Sequence, residues 1–224
     1  MFSDRAEAGR RLAEQLQRFR ADQPLVLALP RGGVTIGVEI ARALAAPLDV
    51  VLVRKIGAPF QEELAIGAVA DGEHPEMVVN RHITALLDIP ESYLNEERDR
   101  QLIEIERRRK LYLAGRSRPG IAGKTAIVVD DGIATGATMR AALRAVRRAG
   151  PKRLVLAVPV APAETIAELR HDVDEIVCLE TPPDFGSISL YYEDFRQVTD
   201  SEVIAMLAET AGSGAAPQPT GALR

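Results

Sequence analysis

Five short, largely apolar runs constrain this chain most: residues 25–29, 49–53, 125–129, 154–160 and 175–179. LVLAL and TAIVV are apolar at nearly every consecutive position, with β-branched residues prominent in the second. Strands that read this way are covered on both faces. Helical spacing separates them at 34–45, 138–149 and 163–170, and Gly150-Pro151 stops the second of these segments. The alternation predicts βαβ units and a mostly parallel central sheet flanked by helices, an α/β fold. Residues 64–70 read as one more short strand. The N-terminus reads as a helix capped by Ser3 or Asp4, with Ala8, Leu12, Leu16 and Phe19 on its apolar face. In such sheets ligands bind beyond the carboxyl ends of the strands. Three unusual loops, starting near Pro30, Arg54 and Asp130, all follow predicted strands.

The rhythm breaks once. Residues 91–115 read as a long charged helix with Glu96–Arg100, Glu104–Arg108 and Glu106–Lys110 at i,i+4 spacing. Residues 71–122 are therefore expected to be a helical insertion. The basic run Arg107–Lys110 reads as a solvated face balanced by nearby glutamates rather than a polyanion contact. From Ala211 onward AGSGAAPQPTGALR is small and Pro-rich, and a disordered tail over 211–224 is expected.

Bulk composition narrows the partners. The net charge is −4, whereas nucleic-acid binders usually carry a basic excess, so nucleic acid is not expected. A lone cysteine, Cys178 in EIVCL, makes no internal disulfide; it fits a reducing compartment and a core position. The opening MFSDRAEAGRR is charged where a secretory leader turns apolar. The longest apolar runs fall far short of the ~20 residues that span a bilayer, so no membrane association and a cytoplasmic location are expected. His74, His82 and His171 show no metal-ligand spacing.

The densest chemistry lies in AIVVDDGIATGAT, residues 126–138. An apolar strand runs into Asp130 and Asp131, a loop of small residues follows, and then a helix begins. Small side chains let backbone N–H groups close on a phosphate, and a helix N-terminus adds its dipole. Thr135 and Thr138 can add hydroxyl donors. Carboxylates beside such a cradle accept from ribose hydroxyls or hold Mg²⁺ directly or through water. Together these features describe a ribose 5-phosphate site. The loop has no lysine for a P-loop, and G-x-G-x-x-G is absent from it and from Gly32–Gly37.

This segment resembles the 5-phosphoribosyl 1-pyrophosphate (PRPP) motif of type I phosphoribosyltransferases. LPRGGV, DVVLVRKIGAP and VVDDGIATGAT are similar to a bacterial group of uncharacterised phosphoribosyltransferase-like proteins. The overall likeness runs over roughly residues 25–179. It implies a phosphoribosyltransferase-like domain over 1–210 with a C-terminal hood and helix at 180–210. Asp130 and Asp131 would be the catalytic pair contacting ribose hydroxyls and Mg²⁺, and Ala134, Thr135, Gly136, Ala137 and Thr138 would hold the 5-phosphate. Gly132 departs from the pattern, standing where the family usually has an apolar residue or serine. Ala134 stands where members acting on 6-oxopurines carry an aspartate.

The turn Arg31-Gly32-Gly33 would bind pyrophosphate, a role the family gives to the loop after its first core strand. Arg54 and Lys55 would add cations, as a basic pair does in family members, in some across a dimer interface; a homodimer is thus an expectation. A mobile cover is expected to start over 58–63. Phe185, Tyr191, Tyr192 and Phe195 would either stack on an acceptor base or form a small satellite core. The implied reaction transfers ribose 5-phosphate from PRPP to a nitrogenous acceptor with Mg²⁺ as cofactor. The alternatives are a non-catalytic module sensing PRPP or a nucleotide, and another ribosyl or pyrophosphate chemistry on the same site.

Overall fold

Strand β1 (Leu25–Ala28) lies second in a five-stranded parallel sheet, between the edge strand β2 (Leu48–Val50) and the central strand β6 (Thr125–Val129); β7 (Arg153–Val160) and β8 (Glu175–Glu180) complete it in the order β2-β1-β6-β7-β8. The computed structural model describes residues 1–71, 75–113 and 119–213; His74 and residues 214–224 of the expected tail lie outside them. The expected mostly parallel sheet flanked by helices is present.

The strands read as unbroken apolar runs because helices cover both faces. On one face Val26, Ala28, Ile127, Val129, Val155 and Ala157 pack with α1 (Arg5–Leu16), α2 (Gly32–Leu44) and α7 (Asp200–Ser213). On the other face Leu25, Leu27, Val128, Leu154 and Leu156 meet α5 (Ala137–Arg148) and α6 (Ala163–Leu169). The period-two alternation of a strand sorts them. Fully burying one such side chain stabilises by ~1.5–3 kcal/mol, so these two clusters dominate the stability. Asp4, not Ser3, caps α1: its side chain accepts from the Glu7 backbone N–H at 2.7 Å. The predicted face Ala8, Leu12, Leu16 and Phe19 is buried. Cys178 is only half-buried, because β8 is the sheet's edge strand; burial still pushes its thiol up to about 11.

From β1 the chain moves to β2 on one side; from β6 it moves through β7 to β8 on the other. The connections reverse between β1 and β6, and ligands of open α/β sheets bind beyond the strand ends at such a point. The loops after those two strands carry the Arg31-Gly32-Gly33 turn and the Asp130–Gly136 segment.

A second sheet leaves this plan. Strands β3 (Val53–Ala58), β4 (Gln61–Ala70) and β5 (Glu76–Val79) pair antiparallel in that order. The departure from the main sheet therefore begins at Val53, and the 71–122 stretch contains β5 as well as α3 (Arg81–Leu86) and α4 (Glu91–Leu113). Residues 58–63, expected to open a mobile cover, form a tight hairpin instead: Ala58 pairs with Gln61 across Pro59-Phe60, and the Phe60 ring stands fully exposed at the tip. One face of this sheet packs Ala68 and Ala70 on Ala141 and Ala145 of α5. The other packs Ile56 and Ile66 on Leu94 of α4.

Helix α4 is polar along most of its length, and ion pairs account for its charge. Glu104–Arg108 and Glu106–Lys110 pair as the spacing predicts, at 2.9 and 3.9 Å. Arg100 instead pairs with Glu97, at 2.6 Å, because Glu97 is buried and needs a partner. Arg109 crosses to Asp71 at 2.8 Å and ties the helix to the end of β4.

Candidate functional site: an acidic pair at the sheet's reversal point

Strand β6 ends buried at Val129, and Asp130 and Asp131 follow at once. Asp130 Oδ1 accepts from the Asp131 backbone N–H at 2.8 Å. Burial, and next the charge of Asp131, lift the Asp130 carboxyl well above the usual carboxylate range. Asp131 is also lifted by burial, and a neighbouring cation, Arg5, opposes the rise. Two carboxylates held this close in an apolar setting are costly to keep ionised, an arrangement more often found at functional sites than elsewhere.

The glycine turn after β1 lies directly against the pair. A Cβ on Gly32 would overlap the Asp131 carboxylate, and one on Gly33 would come within 2.9 Å of the Val129 carbonyl and 3.1 Å of Asp130 Oδ1. Only glycine lets the two loops approach so closely. The Pro30–Arg31 peptide is cis. The Arg31 guanidinium, one-third exposed, lies 3.8 Å from Asp200 at the start of α7; Asp200 also accepts from the Tyr112 hydroxyl at 2.6 Å.

Beyond the pair the small-residue loop runs to α5. Gly136 adopts a left-handed conformation (φ 76°) at the helix N-cap, and a Cβ there would meet Thr165 Cγ2 at 2.9 Å. The Thr165 hydroxyl donates to the Ala134 carbonyl at 2.9 Å and the Ile133 N–H to the Val160 carbonyl at 3.0 Å, which pins the loop. Ala134 and Thr135 are exposed; Ala137 and Thr138 are half-buried on the first turn of α5. The backbone N–H groups of that turn have no intrahelical acceptor, as at any helix start.

Arg54 and Lys55 are separated by strand alternation. Arg54 Nε donates to Gln101 Oε1 of α4 at 2.9 Å. Lys55 is exposed and pairs in register with Ala68, which faces α5. Within one molecule the two cations thus point to opposite faces of β3.

The hood aromatics divide as well. Phe185 and Tyr191 stack on each other, with centroids 5.6 Å apart and planes at 17°. Tyr192 is buried: Phe2 and Phe195 cover its ring at 5.4 and 5.0 Å, and its hydroxyl donates to the Asp131 carbonyl at 2.6 Å. It joins the main core rather than a satellite. A short 3-10 turn, Ile188–Tyr191, lies over the loop, and the departure at Gly132 makes room for it. A Cβ on Gly132 would sit 2.6 Å from Ile188 Cγ2.

Arg5 is the site residue that sequence reasoning missed. Its Nε donates to Asp131 Oδ2 at 2.7 Å and its Nη1 to the Arg196 carbonyl at 2.9 Å, while its guanidinium stacks 3.9 Å from the Phe195 centroid. A signal was there: Arg5 opens a helix, where a cation opposes the dipole and the preceding Asp4 already supplies the cap. Such a local conflict marks a residue kept for another purpose.

The metal question turns on the donors present. Among the described residues no group of three or more His, Cys, Asp or Glu side chains could hold a metal ion. Two carboxylates, one already bonded to Arg5, suit Mg²⁺ bound mainly through substrate oxygens and water. No helix among the described residues is long and apolar enough to cross a membrane.

A parallel sheet with an acidic pair, a glycine turn and a helix start gathered where its strand order reverses defines an open α/β protein with a candidate ligand site at the strands' carboxyl ends. Residues 3–196 match the phosphoribosyl transferase domain model, and the chain belongs to the phosphoribosyltransferase family. It is 43% identical over 207 residues to two Mycobacterium tuberculosis proteins, "Putative phosphoribosyl transferase Rv0571c" of strain H37Rv and "Putative phosphoribosyl transferase MT0597" of strain CDC 1551. The match takes in 92% of this chain but 46% of each relative, so the chain spans about half the length of the curated relatives it matches. Among solved structures, TT1426 from Thermus thermophilus is 44% identical with a TM-score of 0.80, over 93% of this chain and 98% of that one.

Proposed function

We propose that this chain transfers ribose 5-phosphate from PRPP to a nitrogenous acceptor and releases pyrophosphate. One observation carries the reading: the Asp130–Asp131 pair abuts the Gly32-Gly33 turn so closely that no side chain fits between them. A carboxylate pair accepts from a ribose diol, and the backbone N–H groups of a glycine turn donate to an anion. A single ligand with pyrophosphate on the anomeric carbon of a 5-phosphorylated ribose satisfies both at once. Its 5-phosphate would lie against Ala134–Thr138 at the start of α5, where free N–H groups and the helix dipole favour negative charge.

In the reaction the anomeric carbon loses its bond to a pyrophosphate oxygen and gains one to the acceptor nitrogen. Charge grows on the leaving group; the Gly32–Gly33 N–H groups and the Arg31 guanidinium would stabilise it, with Lys55 as a further candidate cation. Asp130 and Asp131 would hold Mg²⁺ jointly with the substrate, and the ion would supply further charge neutralisation on the phosphate oxygens. Phe185 and Tyr191, the half-buried stacked pair of the hood, are the candidates for stacking against an acceptor base. Ala134 can neither take nor give a proton, so hypoxanthine and guanine are expected to be poor acceptors. Positioned proton transfer is typically worth ~10²–10⁴-fold in rate.

The test is pyrophosphate release from PRPP and Mg²⁺ with a panel of hypoxanthine, guanine, adenine, orotate and uracil. Release with a non-6-oxopurine acceptor is expected. Efficient turnover of hypoxanthine or guanine would refute the inference from Ala134. Tight PRPP binding with no release for any acceptor would favour a sensor over a transferase.

A further inference from the structure

Three parts of the chain far apart in sequence meet at one guanidinium. Arg5 comes from the first turn of α1, Asp131 from the loop after β6, and Phe195 and Arg196 from the hood. The N-terminal segment is woven into that hood: the Phe2 N–H donates to the Tyr191 carbonyl at 2.8 Å, the Glu193 N–H to the Phe2 carbonyl at 2.8 Å, and the Asp194 N–H to the Ser3 carbonyl at 2.9 Å. Arg5 is 8% exposed, and its Nε would be 3.0 Å from a Cβ on Gly32, so it also borders the glycine turn.

Asp131 is therefore held from two sides of the same cover. Arg5 donates to its carboxylate and Tyr192 to its carbonyl, and both donors are packed on Phe195. With Oδ2 taken by Arg5, the carboxylate is restrained in rotation about χ2. Buried, charge-assisted bonds of this length are the strong ones, and they fix geometry as well as adding energy.

We propose that Arg5 is a positioning residue of the PRPP site, which orients the Asp131 carboxylate toward the ribose and couples occupancy of that site to the seating of the hood. The proposal rests on the reading of the acidic pair as a ribose contact. Arg5 itself touches no ligand. Its planar fork reaches the Asp131 carboxylate and the Arg196 carbonyl while its face lies on the Phe195 ring, a geometry that a compact ammonium does not reproduce. A PRPP molecule that draws on Asp131 thereby tightens the Arg5–Arg196 and Arg5–Phe195 contacts and steadies the cover under which an acceptor binds.

Calorimetry of PRPP with Mg²⁺ on the wild type, Arg5→Ala and Arg5→Lys tests this, with hydrogen exchange over residues 188–196 and circular dichroism as the check on folding. Arg5→Ala is expected to bind PRPP roughly 10- to 100-fold more weakly, the worth of one charge-assisted bond. In that variant PRPP should no longer slow exchange in 188–196. Arg5→Lys should fold, since it keeps a cation beside Asp131, and should recover most of the affinity without recovering the slowed exchange. Added methylguanidinium should restore binding to Arg5→Ala and leave the wild type unchanged. Affinity in Arg5→Ala within about twofold of the wild type, or above it, overturns the proposal. Equal loss in both variants with no rescue overturns it too, since that pattern marks a purely structural ion pair. A wild type that does not bind PRPP removes the proposed function along with this inference; a wild type that binds, with affinity unchanged in both variants, removes this inference alone.

Discussion

Strand β6 is buried at all five of its positions, whereas β3 is buried at two of its six. The first sits inside the main sheet with helices on both faces; the second belongs to a three-stranded antiparallel sheet resting on α5 and α4. Both strands lead into candidate site residues, and they present them differently. β6 delivers Asp130 and Asp131 to a fixed point against Gly32 and Gly33. β3 carries Arg54 and Lys55 within the strand itself, so alternation sends one toward α4 and the other toward α5. A loop at the end of a rigid strand can gather neighbouring residues on one ligand; adjacent residues within a strand cannot.

Cutting equal volumes from the two cores should separate the sheets most strongly. Leu156 and Ile66 are both fully buried, but Leu156 belongs to the large cluster under α5 and α6, while Ile66 belongs to a cluster of four buried residues. Leu156→Ala should lower the global unfolding free energy by ~2–5 kcal/mol in urea. Ile66→Ala should act mainly through local opening, with faster hydrogen exchange in β3–β5 and a smaller global loss. Equal global losses would mean that the two sheets unfold as one unit.

A finer comparison concerns the two cations. Lys55→Ala should weaken pyrophosphate binding by roughly 1 kcal/mol, about fivefold, while Arg54→Ala should leave affinity alone and cost ~0.5–1.5 kcal/mol of stability through the lost Gln101 bond. Competition of pyrophosphate against a fluorescent PRPP analogue, with thermal melts, separates the two. An affinity loss in Arg54→Ala as large as in Lys55→Ala would show that alternation does not divide their roles.

The same contrast explains what the sequence disclosed. Strands β1, β6 and β7 were legible because burial on both faces demands apolar residues at every position, and the loops after β1 and β6 were legible because glycines and paired aspartates follow such strands for few other reasons. β5 is half-buried throughout, so EMVV gave no period to read. The 58–63 hairpin carries no Asn-Gly or Asp-Gly signal; Pro59-Phe60 takes its place, with Phe60 in the left-handed region. Arg5 left only the local conflict with the helix dipole. Its partners lie 126 and 191 residues away, so that conflict could not say what the guanidinium serves. Tyr192 looked like a stacking platform by composition, yet its place between Phe2 and Phe195 depends on the N-terminus joining the hood.

The account stands on Asp130 being kept for a ligand rather than for the fold. Burial and the Asp131 charge raise its folded-state pKa above the unfolded value. The ionised carboxylate therefore opposes folding: stability present below the unfolded pKa is lost as pH rises toward the folded one. At neutral pH Asp130→Asn, which keeps the Oδ1 acceptor for the Asp131 N–H, should melt no lower than the wild type. The decisive measurement is calorimetric titration of PRPP with Mg²⁺ into the wild type and into Asp130→Asn. The account predicts binding by the wild type and at least ~10-fold weaker binding by the variant, the loss of a charged acceptor to a ribose hydroxyl and the metal shell. Unchanged affinity in a variant that folds normally would contradict it.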